Sequence, residues 1–203
     1  TDYIWGSENF EKTYPGFKIT DVLKGICADF GISANYETLT PLPFENRADC
    51  ADVVVLVPGS AGIVKCWPSF HWLDLADRLI KSGHKVVVVG QPDRSPIVKD
   101  CLESGLVFVE TPTMVDALDA LSSARCVVAG DTGLMHVAIH QNVPTVGLFR
   151  YNVMFKRDYP HVRSLSAPLC HQACIDIEYS SVPNKVIKYD SFEENEHKIY
   201  WET

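Results

Sequence analysis

Between residues 52 and 149, short runs of β-branched residues alternate with segments of helical period, and this alternation leaves the chain few possible folds. Strands separated by helices must run parallel and be joined by right-handed crossovers. Val53 to Val57 is an unbroken apolar run that stops at Pro58-Gly59-Ser60, as expected of a strand buried on both faces. Phe70, Leu73, Leu75, Ala76, Leu79 and Ile80 then follow helical spacing behind Pro68-Ser69 and stop at Gly83. Lys85 to Gly90 reads as a second strand, Pro96 to Ser104 as a short helix closed by Gly105, and Leu106 to Val109 as a third strand. Met114 to Ala124 is predicted helical, Cys126 to Ala129 a fourth strand, Gly133 to His140 a helix, and Thr145 to Phe149 a fifth strand. The expected fold class is α/β, a doubly wound parallel sheet.

The flanks read differently. Ile19, Val22, Leu23, Ile26 and Phe30 keep helical spacing up to Gly31, and Thr38 to Asn46, with two prolines, reads as an extended connector. Val162 to Leu165 suggests a short strand, and Ser191 to Thr203 a charged tail helix. The expected organisation is a preceding piece and linker over 1–48, a ligand-binding domain over 49–190 and a tail over 191–203. The first 48 residues lack strand–helix alternation, which suggests a piece of a longer protein.

Composition narrows the function classes. The chain has 203 residues, enough to bury a substantial core, and 46% of them are hydrophobic. A formal charge of −8 argues against a general electrostatic grip on nucleic acid or anionic membrane. Apolar runs fall far short of the roughly 20 residues of a membrane span, so no transmembrane segment and a cytoplasmic location are expected. Seven cysteines, at 27, 50, 66, 101, 126, 170 and 174, are an odd number scattered through core-like segments, which favours a reducing compartment. Cys170-His171-Gln172-Ala173-Cys174 offers two thiols and a histidine, short of the four ligands a structural metal site wants, so no metal is expected.

In open parallel sheets, ligands bind beyond the carboxyl ends of the strands, at the positive ends of the following helices. Two such ends carry chemistry here. Ala129-Gly130-Asp131-Thr132-Gly133-Leu134-Met135-His136 runs from strand through turn into helix, with glycines for close backbone approach and a hydroxyl beside free amides, a setting for a phosphate or diphosphate. The plainer alternative is that Asp131 caps the helix, Gly133 permits tight packing and His136 is an ordinary histidine facing the same mouth. Pro58 to Pro68 is a glycine-punctuated loop carrying Lys65, able to neutralise a phosphate oxygen as a point charge. It matches neither Gly-x4-Gly-Lys-[Ser/Thr] nor Gly-x-Gly-x-x-Gly.

With Pro58-Gly59-Ser60, Lys65-Cys66-Trp67-Pro68, Val87-Val88-Val89-Gly90, Asp131-Thr132-Gly133-Leu134-Met135-His136 and Asn142-Val143-Pro144 in this order, the chain resembles glycosyltransferase family 9. These are the ADP-heptose:lipopolysaccharide heptosyltransferases, and the match is to the Rossmann-like C-terminal half of their two-domain GT-B fold. The resemblance implies a nucleotide-sugar site, with ADP-heptose as donor and a lipopolysaccharide or other glycan as acceptor. Ser60 and Lys65 would contact the diphosphate, Lys65 stabilising the leaving group, while Asp131, Thr132 and Gly133 would bind phosphates and sugar with His136 in support. Gln91 or Asp93 would stand near the ribose, and Met114 would border the base. The transfer would be inverting and metal-free. The general base would lie in the N-terminal half, so this chain alone would bind donor without turning over, and any peripheral membrane contact would also come from that half. Competing readings are a non-catalytic nucleotide-binding module, a UDP- or GDP-sugar transferase of the same fold, and a dehydrogenase binding NAD. The dehydrogenase is weakened by the absent glycine fingerprint.

Overall fold

The computed structural model describes residues 19–33, 38–60, 66–149, 157 and 159–166. Residues 39–150 with 157–165 form one compact unit, and helix α1 (Ile19–Asp29) belongs to a second. The tail expected over 191–203 and the Cys170, His171 and Cys174 group lie outside the described residues.

The larger unit is built on a five-stranded sheet of β1 (Val54–Val57), β2 (Val86–Val88), β3 (Cys126–Gly130), β4 (Thr145–Phe149) and β5 (Val162–Ser166). The strand order is β2-β1-β3-β4-β5, and the pairs β1/β2, β1/β3 and β3/β4 are parallel. Helices α2 (Ser69–Lys81), α3 (Pro96–Glu103), α4 (Met114–Ser123) and α5 (Gly133–His140) occupy the connections. The doubly wound α/β class expected from the alternation is therefore present.

Alternation of side chains along each strand sends Val54, Leu56, Val86, Val88 and Val128 to one face, where they meet Trp72 and Ala76 of α2 and Ile97, Val98 and Cys101 of α3. Trp72 is fully buried, and its indole N–H donates to the Trp67 carbonyl at 3.1 Å. Its truncation to alanine would cost about 3–5 kcal/mol. Helix α5 lies against the other face: a Cβ at Gly147 would come within 2.8 Å of the Met135 sulfur. Gly83 and Gly105, both at φ 85°, follow α2 and α3 in the left-handed conformation that ends a helix.

One expectation is corrected. Leu106 to Val109 does not form a strand; a single parallel bridge links Phe108 to Val88, held by bonds from the Val88 N–H to Val107 and from the Val109 N–H to Val88. The segment is at the sheet edge, and Val107 is 62% exposed, so little apolar burial rewards a longer ladder there. The short strand expected over Val162 to Leu165 is present as Val162–Ser166 and completes the five-stranded sheet beside β4. With Phe108 at the outer edge of β2, the sequence of segments across the sheet reverses between β1 and β3. Such a reversal opens a crevice at the strands' carboxyl ends.

The connector from Leu39 is stapled to this unit. Gln141 exchanges two hydrogen bonds with the Leu42 backbone, at 2.7 and 2.9 Å. Arg47 donates to the Glu110 carbonyl at 3.0 Å and forks onto Asp49, while its own N–H donates to Ser123.

Candidate functional site

A cleft of about 520 Å³ opens where the sheet order reverses. Its lining comes from the loop after β1 (Gly59, Ser60), the turn after β2 (Gly90, Gln91, Arg94, Ser95), the segment entering α4 (Thr111 to Met114) and the start of α5 (Thr132, Gly133, Leu134). Three helices thus aim their N-termini at one space. Their states differ. Ser95 caps α3 by accepting from the Val98 N–H. Thr113 and Asp116 close a reciprocal capping box on α4, the Asp116 carboxylate taking both the Thr113 N–H and its hydroxyl. These bonds hold the Asp116 carboxyl below the usual carboxylate range. At α5, the N-cap residue Thr132 makes no side-chain capping bond.

Two details of this helix start differ from the plainer reading. Asp131 is not the cap, because Thr132 occupies that position. Gly133 is not there for packing, since a Cβ built on it meets nothing within 4 Å; nor is its backbone left-handed. Gly133 is exposed at the cleft wall, leaving room for something outside the chain. By contrast, Gly59 and Gly90 are packing glycines, for a Cβ on either would press on Val98 at 3.2 and 2.8 Å.

Ser60 links the two strand ends. Its hydroxyl donates to the Asp131 carbonyl at 2.8 Å across the crevice. Asp131 is buried, and its negative charge acts on Arg157, whose guanidinium pKa is pushed down by burial and back up by Tyr159 and Asp131. Cys66 lies behind the loop with its sulfur 4.0 Å from the Ser60 carbonyl, and burial pushes its thiol up.

Of the residues singled out from sequence, Ser60, Gln91, Met114, Thr132 and Gly133 line the cleft. Asp93 is exposed and does not line it. His136 borders an adjacent groove of about 330 Å³ between α4 and α5, which shares Met114 and Gly133 with the cleft. Lys65 lies outside the described residues. No group of three or more metal-ligating side chains occurs among the described residues, and no helix among them is long and apolar enough to cross a membrane. Sequence reasoning missed Arg94 and Arg157. A search for an acidic residue after the second strand passes over an arginine three positions beyond Gln91, and Arg157 stands in a segment with no periodic pattern.

Comparison with known proteins gives a consistent outcome. Residues 31–167 match the family described as "Glycosyltransferase family 9 (heptosyltransferase)". The chain is 31% identical over 103 residues to lipopolysaccharide heptosyltransferase 1 of Pseudomonas aeruginosa, covering 49% of this chain and 29% of that protein. It is 29% identical over 145 residues to lipopolysaccharide heptosyltransferase 2 of Escherichia coli K12, covering 67% and 39% respectively. The chain therefore spans well under half the length of either relative. Among solved structures, E. coli heptosyltransferase WaaC with ADP-2-deoxy-2-fluoro heptose shares the fold at a TM-score of 0.56 and 20% identity, over 74% of this chain and 49% of that one.

Proposed function

Because the chain belongs to glycosyltransferase family 9, we propose that the crevice between β1 and β3 is the donor site of a heptosyltransferase-like enzyme, binding a nucleoside diphosphate sugar. The observation that carries this reading is the start of α5: of three helix N-termini around the cleft, it alone lacks a side-chain cap, and Gly133 leaves its approach open. A helix start in that state offers unpaired N–H groups and the positive dipole end to an anion. The diphosphate lies there, and the nucleoside extends along the cleft towards Gly90 and Met114. ADP-linked heptose is the expected donor, supported by relatives whose names specify heptose transfer and by a solved relative holding an ADP-heptose analogue.

The chemistry is a displacement at the anomeric carbon. An acceptor hydroxyl forms the new C–O bond, the bond to the β-phosphate oxygen breaks, and the nucleoside diphosphate departs with the electron pair. The acceptor's proton passes to a general base, which the reading assigns to the half of the enzyme opposite this domain. Charge grows on the leaving phosphate, so the fixed amides of α5 act most strongly as the bond breaks, and Lys65 adds a point charge to the same oxygens. Ser60 keeps the β1 loop and the Asp131 turn at a fixed separation around the diphosphate. The acceptor is a lipopolysaccharide core or related glycan.

A thermal-shift panel of ADP, UDP, GDP and NAD tests the reading. Ligand at 100 times its dissociation constant adds about 2.7 kcal/mol, a shift of a few degrees for a domain of this size. Stabilisation by ADP, exceeding that by NAD, is expected. Preference for UDP or GDP would reassign the donor, and preference for NAD would overturn the reading.

A further inference from the structure

Among the described residues lining the cleft, Arg94 is the only one with a formal charge and none is a carboxylate. In doubly wound nucleotide-binding sheets, an acid after the second strand commonly takes the ribose hydroxyls. Here the acid available on that turn, Asp93, is exposed and lies off the cleft wall, while its neighbour lines the cavity. The turn is fixed: the N–H groups of Arg94 and Ser95 both donate to the Gln91 carbonyl, at 3.1 and 3.0 Å, and Ser95 is anchored as the buried cap of α3.

We infer that Arg94 is a ligand-binding residue that pairs with the phosphate nearer the nucleoside. This rests on the donor-site reading above. A guanidinium offers donors only and keeps its charge at all working pH values, so its partner must be an acceptor, best an anionic one. Strand order together with the donor orientation proposed above sets which anion. Adjacent strands lie about 4.8 Å apart, and β2 flanks β1 on the side away from β3 and the α5 start. With the nucleoside extending towards Gly90, as proposed above, a diphosphate anchored at α5 presents its nucleoside-side phosphate towards the β2 turn. The cleft thus grips its ligand from two sides, by backbone amides at α5 and by a side-chain charge at Arg94.

Calorimetric titration of ADP, AMP and adenosine into the chain and into Arg94→Gln and Arg94→Lys separates the possibilities. Arg94 is exposed, so unchanged melting temperatures are expected for both variants. The expected result is a loss of about tenfold or more for ADP and AMP in Arg94→Gln, little change for adenosine, and partial recovery in Arg94→Lys. Equal losses for adenosine and the phosphorylated ligands would overturn the phosphate assignment in favour of a ribose or base contact. Wild-type affinity of Arg94→Gln for ADP, with ADP still bound by the native chain, would overturn the inference and leave the donor site standing. No binding of ADP or AMP by the native chain would overturn both.

Discussion

The Ser60 hydroxyl donates to the Asp131 main-chain carbonyl at 2.8 Å, across 71 positions of sequence, and so ties together the loop after β1 and the turn after β3 at the point where the sheet order reverses. A part-buried bond of this kind contributes about 1 kcal/mol net. Ser60→Ala is expected to lower the unfolding free energy by about that amount and to weaken ADP by several-fold, since the two rims of the cleft lose their brace. Urea unfolding and calorimetry on the same preparation check both.

Two glycines predict opposite behaviour. Gly133→Ala meets nothing in the chain, so stability should stay within a few tenths of a kcal/mol while nucleotide binding falls. Gly147→Ala puts a methyl 2.8 Å from the Met135 sulfur and 2.9 Å from the Phe149 ring. It should cost about 1–3 kcal/mol by overpacking and alter binding only through α5. Thermal melts with and without ADP distinguish the pair.

The buried thiols should be inert in the native state. Burial pushes Cys50 and Cys101 up to about 11, two pH units above an ordinary value of 9.0. At pH 8 the thiolate fraction falls roughly 100-fold, and thiolate is the reactive form. Iodoacetamide labelling followed by mass spectrometry should leave both residues unmodified until urea is added. Rapid native labelling of either would contradict their placement.

Acid sensitivity has an identifiable source in the connector. The Arg47 fork holds the Asp49 carboxyl below its ordinary 3.8, chiefly through the direct hydrogen bond. For a depressed carboxylate, the stabilisation is complete above the unfolded value and is lost as pH falls through the lower folded value. Both groups are near the surface, so the effect is small. Asp49→Asn should flatten the stability curve below pH 4 and leave the shape above pH 5 unchanged. Unfolding in urea between pH 2.5 and 6 measures this.

Much of the fold was legible because β1, β3 and β4 are buried runs bounded by proline or glycine, and buried parallel strands announce themselves as continuous apolar sequence. Leu106 to Val109 has the same composition but lies at an edge, and composition does not report which strand lacks a second neighbour. At the cleft, the Asp131-Thr132-Gly133 start of α5 was readable from its glycines and hydroxyl. What the sequence left open was which of its two readings held. Two three-dimensional facts bear on that choice, the N-cap at Thr132 and the empty space beside Gly133. Arg94 was hidden for a related reason: a one-residue step along a turn exchanges a wall position for a solvent position, and the sequence does not report that Arg94 rather than Asp93 lines the cavity.

Calorimetric titration of ADP into the native chain and into Gly133→Ala tests whether the open start of α5 is the diphosphate anchor. Saturable one-to-one binding by the native chain, weakened at least tenfold in a variant with an unchanged melting temperature, is the predicted result. Equal ADP affinity in the two proteins would contradict it.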